Sequence, residues 1–174
     1  MLLNIQKESE EVYHTRQDVI SLSEKEIDFL ISIAKKTTRK RVRLCCHLSV
    51  NDAVHEMVIV HPRKAYVRPH RHLNKAESFL VLKGEVDYVT FKEKGEIDTI
   101  LSMGDSHSNK SFYQSIRSEI FHTLVIQSEW LVFLEVTQGP FKKEDTEFAD
   151  WSPVNPSKKE IGEFIESIYK EKKS

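Results

Sequence analysis

The sequence predicts an all-β domain: a single β-barrel of short strands, flanked by one helix at each end. Three observations carry this reading. Between about residues 40 and 137 lie nine short runs rich in Val, Ile, Phe, Tyr and Thr, namely "RVRLCCHL", "VHEMVIVH", "AYVRPH", "SFLVL", "VDYVTF", "DTILSM", "SFYQSI", "HTLVIQ" and "WLVFLEV". Glycine turns, "LKGE", "EKGE" and "SMGD", separate several of them. Helical periodicity is confined to one segment before this region and one after it. Strands this short and closely spaced favour an antiparallel sandwich or barrel over βαβ units.

The leading helix is read from "SLSEKEIDFLISIAKK". Ser23 and Glu26 have the spacing of a capping box, and Ile27, Leu30, Ile31 and Ala34 form one apolar stripe. At the other end Ser157 and Glu160 repeat the capping box, with Ile161, Phe164, Ile165 and Ile168 as the stripe, and "YKEKKS" reads as a frayed tail. There is no internal repeat, low-complexity tract or linker. The chain therefore divides into an N-terminal extension (1–20), a β domain with its leading helix (21–156), and a closing helix with tail (157–174).

With 174 residues the chain is long enough for one ordinary core. A formal charge of −1 provides no global basic field, so neither nucleic acid nor a membrane surface is an expected partner. No apolar run approaches the roughly 18 residues of a membrane span, and "MLLNIQKESEE" does not read as a secretory signal. Cys45 and Cys46 are adjacent, which disfavours a structural bridge and fits a reducing, cytoplasmic location.

The stretch "YVRPHRHLNKAESFLVLKGEV" carries the chemistry. On a strand, residues two apart face the same side, so His70 and His72 point together. Two imidazoles so placed suit a shared metal. Glu77 can add a carboxylate from the start of the next strand, and Gly84 is expected to make a hairpin turn. His122, opening "HTLVIQ", is the candidate fourth ligand. Such a donor set suits one divalent transition metal: Fe, Mn, Zn, Ni or Cu. His14, His47, His55, His61 and His107 have no ligand spacing among themselves and are read as surface or pocket residues.

By the same parity Tyr66 and Arg68 share the histidine face. A buried guanidinium needs a partner, so Arg68 is expected to meet an internal carboxylate, with Glu135 a candidate, or an anionic ligand. In "KKTTRKRVR", Arg39, Arg41 and Arg43 alternate. They can present guanidinium groups to a phosphate or carboxylate on one face, while Lys35 and Lys36 sit favourably at a helix C-terminus. Tyr88 is read as core or as a pocket hydroxyl, and Trp151 of "ADWSP" as an anchor for the C-terminal loop.

The spacing of His70, His72, Glu77 and Gly84 matches the first cupin motif, and His122 matches the histidine of the second. Lys64 stands where the general pattern has its leading glycine. Arg117 and Glu119 in "IRSEIFH" replace a Pro-x-Gly turn. Over about residues 20–155, with "RKRVRLCCH", "YVRPHRH" and "FLEVTQGPF", the chain resembles the WbuC-type cupin-fold metalloproteins of bacterial surface-polysaccharide gene clusters. That resemblance implies a jelly-roll cupin barrel and a metal on His70, His72, Glu77 and His122. It also implies a role in lipopolysaccharide, O-antigen or related synthesis. From the site type we expect isomerase- or epimerase-like chemistry on a sugar or nucleotide sugar. Glu119 and Tyr88 are the expected proton carriers, and Tyr66, Arg68, Arg41 and Arg43 the substrate contacts. The alternatives are an Fe(II)-dependent dioxygenase and a non-catalytic binder of small anions or sugars. Expected partners are a small anionic or sugar substrate and a second copy of the chain.

Overall fold

Apolar side chains alternate along the strands in such a way that both faces of two separate sheets acquire something to bury. A computed structural model describes residues 3–117 and 119–171, so the expected tail's last residues, 172–174, lie outside the described ones. The strands are β1 (Ile5–Lys7), β2 (Val12–Thr15), β3 (Val42–Cys45), β4 (Val54–Pro62), β5 (His70–His72), β6 (Glu77–Lys83), β7 (Glu85–Phe91), β8 (Ile97–Gly104), β9 (Tyr113–Ile116), β10 (Phe121–Ile126), β11 (Trp130–Gln138) and β12 (Thr146–Phe148). Helices α1 (Glu24–Ala34) and α2 (Lys158–Glu171) flank the central strands.

A seven-stranded sheet has the order β1-β2-β3-β4-β11-β6-β9, and a five-stranded sheet the order β12-β5-β10-β7-β8. Every pairing is antiparallel except β2 with β3. The expected barrel is corrected to a jelly-roll-like pair of sheets that do not close. Among the described residues the one β-bridge between them is the isolated pair Met103 with Ser111. On the other side β5 and β12 have three residues each, too few to carry a ladder across to the large sheet. Pro69 contributes to the shortness of β5, because a proline lacks the N–H that a ladder needs.

The core follows the period-2 pattern in layers. Phe79, Val81, Leu131 and Phe133 of the large sheet meet Val86, Tyr88, Met103 and Ile126 of the small one. On the outer face of the large sheet, Val42, Leu44, Val58, Val60 and Val132 cover the stripe Ile27, Leu30, Ile31 and Ala34 of α1. On the outer face of the small sheet, Val89, Phe91, Phe121 and Val125 pack with Ile168, Phe164 and Ile165 of α2. Each fully buried aliphatic side chain contributes roughly 1.5–3 kcal/mol, so both helices are held by burial of the stripes that define them.

Local signals set the ends. The Glu26 carboxylate accepts from the Ser23 amide at 3.0 Å. In α2, Ser157 N donates to Glu160 at 2.7 Å and Glu160 N to Ser157 Oγ at 3.3 Å. Gly95 (φ +96°) turns the β7–β8 hairpin. Gly84 (φ +92°) does something else: β6 belongs to the large sheet and β7 to the small one. The expected hairpin turn is therefore a corner at which the chain changes sheets. Strands β1 and β2 have no counterpart among the runs read from the sequence, because they have only three and four residues and lie apart from the apolar-rich central region.

Candidate metal centre

The small sheet brings His122 directly opposite His70 in the β10–β5 ladder, and facing residues on neighbouring antiparallel strands are contact neighbours. His72 follows on the same face of β5. One ring nitrogen of each of His70, His72 and His122 lies within 4.8 Å of the others, a grouping that could hold a metal ion. Glu77, opening β6 on the large sheet, reaches in from the facing side. Its carboxylate stands 2.8 Å from His72 Nε2 and 3.8 Å from His122 Nε2. The three histidines and the glutamate named from the sequence thus converge at one point between the sheets.

The backbone orients the rings. His70 Nδ1 lies 2.8 Å from Arg68 O, and His122 Nδ1 lies 2.9 Å from Ile120 O. A carbonyl only accepts, so each Nδ1 carries the proton and each Nε2 presents a lone pair. His72 Nδ1 contacts Thr146 Oγ1 of β12 at 3.3 Å. Outer hydrogen bonds of this kind fix the tautomer of metal-binding imidazoles. Burial, followed by the neighbouring His122, pushes His70 down to about 4. Burial also lowers His122, against the pull of Glu77. Burial would raise Glu77, but the hydrogen bond from His72 and the surrounding imidazoles leave it below its ordinary value. Neutral imidazole lone pairs beside a carboxylate form a donor set that a divalent cation satisfies.

The cluster lies in a cavity of about 660 Å³. Tyr88 is on its wall, 2% exposed, with its ring stacked 5.4 Å from His122. Burial, then the charge of Glu77, holds its hydroxyl well above the ordinary value. Tyr66 and Arg68 also line the cavity, although residues 65–69 are not in a strand and strand parity is not what puts them there. Both hold the C-terminal loop. Tyr66 OH donates to Pro153 O at 2.9 Å. Arg68 donates to Ser152 Oγ at 2.9 Å and Ala149 O at 3.0 Å, beneath the Phe148 ring. Of the two partners expected for Arg68, a carboxylate or an anionic ligand, the carboxylate is not found: among the described residues Arg68 makes no ion pair, with Glu135 or any other acid. Trp151 packs on Phe91 and Phe121, seating the same loop.

Glu119 is placed away from the chemistry. It is exposed on the loop before β10, and its carboxylate accepts from the Asn74 amide at 3.0 Å. It ties two rim loops together instead of lining the cavity. Glu135 takes the inward position instead. It follows Leu131 and Phe133 on the same face of β11, and burial, then the charge of Glu77, raises its carboxyl to about 8. The signal was the single acid in the alternation "WLVFLEV". His61, read as surface or pocket, is buried on the inner face of β4, where burial lowers it to about 4. Arg39, Arg41 and Arg43 line the cavity end away from the histidines. A second cavity of about 380 Å³ holds His14, His47 and His55, the last two with rings stacked at 4.1 Å. Cys45 and Cys46 are free thiols. Among the described residues no helix is long and apolar enough to cross a membrane.

A family model described as a domain of unknown function (DUF6016) matches residues 22–103. No curated protein sequence matches the chain. Protein SO0799 from Shewanella oneidensis is 9% identical, with a TM-score of 0.53 over 74% of this chain and 85% of that one. The likeness is one of fold. Procruciferin, an 11S globulin of Brassica napus, is 14% identical over 55% of this chain, with a TM-score of 0.43. Oxalate decarboxylase from Bacillus subtilis is 20% identical over 57%, with a TM-score of 0.46. The chain spans only 22% and 24% of the length of those two.

Proposed function

We propose that this protein is a cupin-fold metalloenzyme that binds one divalent transition metal on His70, His72, Glu77 and His122 and acts on a sugar or nucleotide sugar. The observation that carries the metal reading is the donor set itself. Two imidazoles have their Nδ1 atoms engaged by carbonyls, so their lone pairs face a third imidazole and a buried carboxylate. When bound, the metal would supply Lewis-acid polarisation of a substrate oxygen. The protein's own groups would do the rest. The Glu135 carboxyl, raised by burial and then by the charge of Glu77, and the buried Tyr88 hydroxyl are the groups on the cavity wall that would carry a proton, and Phe79, Phe133 and Leu124 line the wall around them. Isomerisation or epimerisation next to a carbonyl is the simplest reaction such groups serve. The stretches "YVRPHRH" and "FLEVTQGPF" support the finer assignment to the WbuC-type cupins and to surface-polysaccharide synthesis.

The test is elemental analysis of protein purified without an affinity metal. About one equivalent of a first-row metal is expected. His70→Ala and His72→Ala should each remove most of it and leave the far-UV CD spectrum unchanged. Equal metal content in wild type and both variants would place any metal elsewhere and end this reading.

A further inference from the structure

The large cavity has two chemically distinct ends. At one end stand the histidines and Glu77; at the other stand Arg39, Arg41 and Arg43, two residues apart along the chain that enters β3. Glu11 organises the second end. Its carboxylate accepts from Arg39 Nε at 2.7 Å and from Arg41 Nε at 2.8 Å. A single carboxylate therefore orients two guanidinium groups, and both terminal nitrogens of Arg41 keep their donors free of hydrogen bonds among the described residues. Arg43 makes no ion pair among those residues. Glu135, on the next strand but one, remains outside ion-pair range. Four guanidinium groups line the cavity, those of Arg39, Arg41, Arg43 and Arg68, with Glu77 and Glu135 on the same wall and Glu11 behind Arg39 and Arg41, which leaves an excess of one positive group even with all three acids ionised. Arg43 is exposed and Arg41 half-buried at the open mouth of the cavity, where a guanidinium left without an ion-pair partner attracts an anion.

Geometry narrows the anion. Arg41 and Arg43 are separated by about 7 Å along the chain, and together they offer several convergent N–H donors. That number suits the three oxygens of a phosphoryl group better than the two of a carboxylate. Between Arg43 and Glu77 lie β4 and β11, an offset of about 14 Å along the sheet at about 4.8 Å per strand. A short dicarboxylate cannot engage both ends, whereas a sugar ring bearing a phosphate can. The walls between are Ile59, Phe133, Phe79 and Leu124, an apolar lining for a ring face.

We infer that the Arg41–Arg43 end is a phosphoryl-binding subsite, holding the phosphate or diphosphate of a phosphorylated sugar whose ring extends toward the histidine cluster. The subsite rests on the proposed function only for where the ring goes; phosphoryl binding does not require the metal. Calorimetric titration with pyrophosphate, glucose 1-phosphate, glucose and succinate tests it on the full chain. Pyrophosphate and glucose 1-phosphate should bind wild type, with glucose and succinate at least about tenfold weaker. Arg43→Gln should weaken both phosphates by about tenfold or more, the worth of one charge-assisted hydrogen bond, and Arg41→Met with Arg43→Gln by more. If the double variant is unstable, the single Arg43→Gln variant decides. The metal-depleted His70→Ala variant should still bind pyrophosphate. If pyrophosphate binding is lost in His70→Ala and retained in the arginine variants, the phosphate sits on the metal and the subsite is wrong. Succinate binding as tightly as pyrophosphate would overturn the phosphoryl assignment, and unchanged phosphate affinity in Arg43→Gln would overturn the site. Neither result depends on whether the histidines hold a metal.

Discussion

His61 shows what a single buried side chain can impose. It is 9% exposed, lies against Phe133, and its Nδ1 has no hydrogen-bond partner among the described residues. Burial and the nearby Arg41 hold it to about 4, against an ordinary value of 6.5. The folded value is depressed, so the stabilisation is complete above pH 6.5. As pH falls from there the unfolded chain takes up a proton that the native state refuses, and stability declines until pH reaches about 4. The full difference is roughly 3 kcal/mol. His61→Gln should flatten this part of the pH dependence, measured as urea midpoints between pH 7.5 and 4.5 on metal-free protein. If the wild-type and variant profiles run parallel, His61 is not the group responsible. Arg68 makes the complementary point. Arg68 lines the cavity, and neutral acceptors on the C-terminal loop take its hydrogen bonds.

Among the elements, the β6–β7 junction is the one on which the site depends most. Strand β6 carries Glu77 on the large sheet, and β7 carries Tyr88 on the small one, so the corner at Gly84 sets the separation of the two walls. A Cβ at this position would lie 2.3 Å from Trp130 O and 2.4 Å from Ser128 Oγ, on a backbone with φ +92°. Gly84→Ala should therefore cost at least about 2 kcal/mol from backbone strain and overlap together. The expected readout is a lower urea midpoint with an unchanged slope. A variant as stable as wild type would mean that the corner relaxes freely. The helices were the easiest elements to read, because capping boxes and 3.6-residue stripes are local. Strands β1 and β2 were invisible for the opposite reason: they are brief segments made regular only by pairing, β1 with β2 and β2 with β3.

At the scale of the whole molecule the histidines belong to one sheet and Glu77 to the other, and among the described residues the one β-bridge linking the sheets is Met103–Ser111. A metal on all four side chains would clamp the open side of the sandwich. Binding to the native state alone stabilises it by about 2.7 kcal/mol when free metal is a hundredfold above Kd. For a domain of this size that corresponds to a rise of roughly 5–10 °C in Tm. Chelation should lower Tm by that amount in wild type and have no effect in His72→Ala. A chelator shift that persists in His72→Ala would show that the metal stabilises through another site.

The sequence by itself determined most of the central strands, both helices with their caps, and the four side chains that meet at the cluster. These are properties of spacing: period 2, period 3.6, and ligands set at intervals that a strand and its neighbour convert into proximity. It could not determine that the sheets stay open, that Gly84 is a corner, or that Glu119 lies on the rim while Glu135 and His61 face inward. Only the tertiary structure decided those points. They depend on which strands pair and on what lies across the cavity, and the sheet neighbours that settle them lie far apart in the chain, as Glu135 and Phe79 do at fifty-six positions. Local pattern tells a side chain which face it shares; the opposing wall decides what that face encloses.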